Sequence, residues 1–183
     1  MNFTHSGFQN TDIKVGRQVI TWGTGDLLFL NDLFSKSWKS FFNGRNDKYL
    51  KPAVDAVRIS YYGSTFNWEL AILPNFEPDQ TPDGERYSFF LPGTGVAQPI
   101  NTVTTEVPSD SEYSGRFFGQ SKGVEWAIYF YSGFFKSPSK FENSMTYAEM
   151  DSVGASVRMP ALGGLLSSEF SYYDSKEDPS GRN

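Results

Sequence analysis

The chain has 183 residues, no cysteine, a single histidine (His5) and a formal net charge of −5. These features exclude a disulfide framework and a thiolate metal site, leave no central imidazole for a catalytic triad, and make an acidic chain without a basic stripe a poor candidate for nucleic acid. Aromatic residues reach 17 %, with 17 Phe and 10 Tyr, which is high for an ordinary soluble domain.

Seven strands are predicted from alternating polarity, which puts successive side chains on opposite faces. The first is DIKVGRQVITWG, 12–23, entered from a turn, GFQNTD. Its register is left open, because Ile13, Val15 and Val19 share parity with Arg17. A long connection follows. Within it GDLLFLNDLFSKSWKSFF, 25–42, is apolar at helical spacing (Leu27, Leu30, Leu33, Phe34, Trp38, Phe41, Phe42), with Asp26 as N-cap. Two readings stand: an amphipathic helix packed on a rim, or a segment folded inward as a plug. The second and third strands, VDAVRISYYG (54–63) and TFNWELAILP (65–74), meet at a tight turn, Gly63–Ser64. The next connection is long and contains EPDQTPDGER, 77–86, which lacks a calcium-loop register and reads as solvated loop. Strands four and five, EYSGRFFGQ (112–120) and GVEWAIYFYSGF (123–134), join at Ser121–Lys122. A medium loop with Pro138 leads to AEMDSVGASVRMP (148–160), and a short turn, 161–164, to LLSSEFSYYD (165–174).

One face of these strands is apolar, with Trp68, Ile72, Trp126, Ile128 and Phe130 as candidates to face lipid. The other carries Arg58, Glu69, Arg116, Glu125, Arg158 and Glu169, the candidates to line a lumen. On a solvated face such charges would only form cross-strand pairs of about 0.2–1 kcal/mol each. In lipid each would cost a few kcal/mol. Tyr61, Tyr62, Tyr113, Tyr172 and Tyr173 fall near strand ends, where an interfacial aromatic girdle would sit.

Connection lengths run long, short, long, short, medium, short. Outer-membrane barrels have this asymmetry, with short periplasmic turns and long outer loops. No run of about 20 apolar residues predicts a transmembrane helix, but a transmembrane strand needs only about 9–11 residues, every second one apolar. MNFTHSGFQNTD has neither the charged start nor the apolar core of a signal peptide.

KVGRQVITWGTGDLLFLNDLF, 14–34, carries Gly16, Arg17, Gln18, Trp22 and Gly23 in a pattern that resembles the GRQ…(W/F/Y)G strands of Gram-negative porin-like barrels of the alginate-export type and related porin-like families. The resemblance covers about a tenth of the chain. It implies a channel in the outer membrane, with outer-membrane lipid and lipopolysaccharide as surroundings and small polar solutes or oligomers as cargo. A polyanion exporter would want a cationic lumen, whereas the candidate lining here mixes Arg with Glu.

The expectation is therefore an all-β fold: an antiparallel up-and-down transmembrane β-barrel, partial, with about seven strands. Seven is odd and closed bacterial barrels are even, so residues 1–183 read as one barrel segment truncated at both ends. The function expected is passive diffusion through a mixed-charge lumen. A soluble or secreted β-sandwich that binds carbohydrate through aromatics is the alternative. A barrel-borne enzyme has no support, since no nucleophile motif, metal spacing or phosphate loop is present, and no catalytic residue, metal or cofactor is assigned. Solute, total strand number and oligomeric state stay open.

Overall fold

Alternation of large apolar with polar or small residues builds one antiparallel sheet. The computed structural model describes residues 3–8, 10–25, 27–82, 89–90, 97–98, 106–141, 144–161 and 163–176. In chain order the strands are β1 (Phe3–Phe8), β2 (Thr11–Gln18), β3 (Val54–Tyr62), β4 (Asn67–Leu73), β5 (Phe89–Phe90), β6 (Ala97–Gln98), β7 (Glu112–Ser121), β8 (Val124–Phe134), β9 (Ser139–Phe141), β10 (Ser144–Thr146), β11 (Glu149–Ala161) and β12 (Gly164–Ser175). Eight of them form the main sheet in the order β1-β2-β3-β4-β7-β8-β11-β12, each paired antiparallel to its neighbour. β5 with β6, and β9 with β10, make two small hairpins. The main sheet is open: among the described residues β1 and β12 each have one partner. The fold is thus all-β and antiparallel, and it is not a closed barrel.

Three features differ from the sequence expectation. The sheet gains β1, where the short, polar FTHSGF carries no alternation strong enough to announce a strand; a turn at Asn10, with φ 66°, returns it onto β2. The first predicted strand stops at Gln18, and residues 19–23 leave the sheet to fold over it. The helix expected over 25–42 is confined to α1 (Trp38–Phe42), with a 3-10 turn at Asp47–Leu50. Asp26, its expected N-cap, lies outside the described residues; Ser37 stands before α1 instead, without a side-chain cap bond. Helix formation loses here because the buried polar residues are bonded to distant parts of the chain: Asn31 to Glu169, Ser35 to the Pro78 carbonyl, Lys36 N to Asp79 and Ser37 to Gln80.

The register aligns side chains into rows across the sheet. One row reads Ile13, Ile59, Leu70, Gly115, Phe130, Val153 and Tyr172. Its neighbour on the same face reads Thr11, Tyr61, Trp68, Phe117, Ile128, Ala155 and Phe170. Neither holds a charge. This face is open: Leu70, Phe117, Ile128, Phe130 and Phe170 are between 42 % and 65 % exposed. Charges return to it only toward the long-loop end, at Arg17, Asp55, Asp151 and Asp174. Arg17, whose parity left the first strand's register open, sits at that rim and bridges Asp55 and Glu77 at 3.3 and 3.1 Å.

The opposite face is covered. Ile20, Trp22 and Phe34 from the connection after β2 pack on Val54, Ala56, Ala71, Leu73, Ala127 and Tyr129. Trp22 and Phe34 meet edge to face at 5.1 Å. Full burial of a side chain such as Phe34 contributes about 1.5–3 kcal/mol, so this cluster holds the connection against the strands. All long connections, 19–53, 74–111 and 135–148, leave from one end of the sheet; the tight turns cluster at the other.

Candidate functional site

The covered face has small or polar residues where the connection lies down. Ser60, Glu69, Arg116, Tyr129, Gly154 and Ser171 form one row across β3 to β12. Glu69 is 3 % exposed and its carboxylate accepts three bonds: from Trp22 Nε1 at 3.0 Å, Ser60 Oγ at 3.2 Å and Arg116 Nε at 3.0 Å. The ion pair is partly buried, so its hydrogen bonds matter more than its charge. Arg116 also lies over the rings of Phe118 and Trp22, at 4.2 and 5.6 Å.

A second carboxylate holds the other side of the connection. Glu169 accepts from Thr24 N and Thr24 Oγ1, both at 3.3 Å, and from Asn31 Nδ2 at 2.8 Å. Asn31 Nδ2 also donates to Phe170 O, and the Tyr173 hydroxyl donates to Leu30 O. The strands make room for this. A Cβ on Gly154 would stand 1.7 Å from Asn31 Oδ1, and one on Gly23 would stand 2.5 Å from Glu169 Oε1. Gly23 has φ +83° and Gly16 φ +114°, a region side chains avoid.

The connection is braced at the long-loop end. Lys36, 3 % exposed, donates through Nζ to Asp32 Oδ1, Asp32 O and Phe34 O. Burial pushes its ammonium pKa below the ordinary value, and Asp32 opposes that shift. Lys51 reaches the second oxygen of Asp32 at 2.9 Å. Asp79 accepts from Lys36 N and Trp38 Nε1, so the described part of 77–86 is a clamp and not the free solvated loop expected. Nearby, Glu112 takes the Lys136 ammonium and the Tyr131 hydroxyl. Burial lowers the Lys136 pKa too, opposed by Glu112.

The motif residues of 14–23 divide by role. Gln18 is buried and donates to the carbonyls of Lys14, Gly16 and Ala56, tying the end of β2 to β3. Trp22 fills the core cluster, and Arg17 is a rim ion pair. Of the six charged candidates, all lie on the covered face. Glu69, Arg116 and Glu169 contact the connection. Arg58 stands opposite Lys14 and Ala71. Arg158 Nε donates to Ser167 Oγ at 3.2 Å, and Glu125 stands opposite Arg158. Trp68, Ile72, Trp126, Ile128 and Phe130 lie on the open face. Tyr61, Tyr113 and Tyr172 share that face, Tyr61 stacked on Trp68 at 5.9 Å; Tyr173 turns to the covered side and binds the connection instead of joining a girdle.

Sequence reasoning missed Thr24, Asn31, Asp32 and Lys36. The signal was present as polar residues interrupting LLFLNDLFSKS, but their partners are more than a hundred residues away in the case of Asn31 and Thr24. Among the described residues no group of three or more His, Asp or Glu side chains could hold a metal. Set against protein-family models, curated proteins and solved structures, the chain matches none of them.

Proposed function

We propose that the sheet is part of a β-barrel in an outer membrane, and that residues 19–37 narrow a water-filled channel on its inner side. The observation that carries this reading is the contrast between the two faces. Rows of uncharged aromatic and aliphatic groups stand exposed on one side, and a hydrogen-bonded polar wall stands on the other. A soluble protein rarely leaves a contiguous apolar area of more than a few hundred Å² bare; a bilayer covers it.

The dimensions are close. From the Ile13 row to the Trp126 row there are three uncharged outward rows, and Val124, Met159 and Leu166 extend them by another; the next row toward the long loops runs from Val15 to Asp151 and Asp174. At about 6.8 Å per two residues the four uncharged rows span roughly 20 Å along the strands, a little short of the ~25 Å apolar band of membrane barrels. The free edges of β1 and β12 would pair with further strands of a larger barrel, since an unpaired edge is an aggregation liability. The resemblance of 14–34 to porin-like strands adds to the reading. Lipid and lipopolysaccharide would surround the barrel and small polar solutes would pass through it. The bare face counts against a β-sandwich, which would bury it under a second sheet.

The test is fluorescence quenching by brominated lipid in liposomes, with Trp22, Trp38 and Trp68 replaced by Phe so that Trp126 remains. Strong quenching near the bilayer centre, together with ion current across a planar bilayer, is the expected result. A protein that stays folded in water without detergent and shows no quenching would overturn it, and a carbohydrate-binding sandwich would become the better reading.

A further inference from the structure

Below the connection, toward the tight-turn end of the covered face, lies a cleft of about 330 Å³ bordered by Thr24, Arg116, Phe118, Glu125, Tyr129 and Arg158. Its two guanidinium groups are both positioned by the bond at Nε: Arg116 to Glu69 at 3.0 Å and Arg158 to Ser167 Oγ at 3.2 Å. Neither bond uses a terminal nitrogen. A guanidinium fixed in this way presents its planar fork, the geometry that takes a carboxylate through two parallel bonds. Phe118 holds the Arg116 plane in place from 4.2 Å.

The negative side is Glu125. It is exposed and stands directly opposite Arg158 in the pairing of β8 with β11. No ion pair joins the two among the described residues. Buried Glu69 pairs with Arg116 through Nε and leaves its terminal nitrogens, and beyond that pair the cleft presents one positive group, Arg158, and one negative group, Glu125. A solute with a single charge is attracted by one and repelled by the other. A solute that carries both charges gains from each.

We propose that this cleft is a subsite for small dipolar solutes bearing one carboxylate and one ammonium group, the carboxylate on Arg158 and Arg116 and the ammonium on Glu125. The proposal rests on the channel reading only for the route by which solute arrives.

The probes are serine, 3-hydroxypropionate, which lacks its ammonium, and ethanolamine, which lacks its carboxylate. Potassium chloride current through the protein in a planar bilayer is read as each is added. Serine is expected to block at lower concentration than either analogue. Arg158→Gln should weaken the serine block roughly fivefold, the scale of one exposed charge pair. Glu125→Gln should weaken the serine block similarly while strengthening that by 3-hydroxypropionate. Equal block by all three probes, or serine block unchanged in both variants, would overturn the subsite. Stronger block by 3-hydroxypropionate than by serine in the unmodified protein would make it an anion site and overturn it also. Equilibrium dialysis of the same probes against the protein in detergent reads the cleft without conduction. Discrimination there with no current in the bilayer sinks the channel and supports the subsite; current without discrimination in either assay sinks the subsite and leaves the channel.

Discussion

Trp22 and Arg17 belong to the same short motif, yet their environments differ in kind. Trp22 is 4 % exposed and its indole N–H reaches a carboxylate that is itself buried. Arg17 is half exposed, and its partners Asp55 and Glu77 meet water. Replacing Trp22 by Phe keeps a ring in the core but removes one of the three donors to Glu69. A buried acceptor that loses a partner costs about 1–3 kcal/mol, so Trp22→Phe should lower the unfolding free energy by that amount in urea titrations. Arg17→Ala in the same assay should cost less than about 1 kcal/mol, as exposed ion pairs do. Equal costs would show that Glu69 draws little from the indole.

At the scale of the element, the segment 19–37 takes its conformation from what it touches. Its apolar residues read as an amphipathic helix, but the bonds of Asn31 and Thr24 to Glu169, and of Lys36 N to Asp79, hold it as irregular chain pressed on the sheet. Gly154 is the seat for Asn31. Gly154→Ala would place a methyl group where the Asn31 amide sits and 2.7 Å from the Phe170 carbonyl oxygen, so the pairing of β11 with β12 must also give locally. The expected outcome is a β-sheet circular dichroism signal that is largely retained, with faster proteolysis between residues 24 and 36 and, under the proposed channel function, a larger single-channel conductance. Unchanged cleavage and conductance would mean that Asn31 is not what keeps the segment down.

For the whole molecule the deciding question is what covers the open face. Phe130 stands in the middle of an uncharged row, 47 % exposed. Facing the midplane of a bilayer, Phe130→Arg should cost about 2–4 kcal/mol, read from reversible unfolding in bilayers. Facing water, the same change should stay within about 0.5 kcal/mol. The second outcome would remove the membrane from the account. Phe42, exposed on α1 at the long-loop end, is the control position, where a charge should cost little in either case.

Much of the architecture is legible in the order of the residues. Strict alternation in stretches such as VEWAIYF separates the faces, because a strand's side-chain period of two leaves a residue no choice of side once its neighbour is placed. Gly and polar pairs mark the tight turns for the same local reason. That Glu69, Arg116 and Glu169 fall on the polar side of their strands, and Ile128 and Phe130 on the apolar side, follows from parity alone. What only the tertiary structure decided is where the long connection goes and which side chains it binds. Residues 25–42 satisfy a helical pattern, yet only Trp38–Phe42 form a helix among the described residues. The bonds of Asn31 to Glu169, of Ser35 to the Pro78 carbonyl and of Lys36 N to Asp79 press the segment onto the sheet, and no local periodicity records a partner that the folded sheet brings near from the far end of the chain.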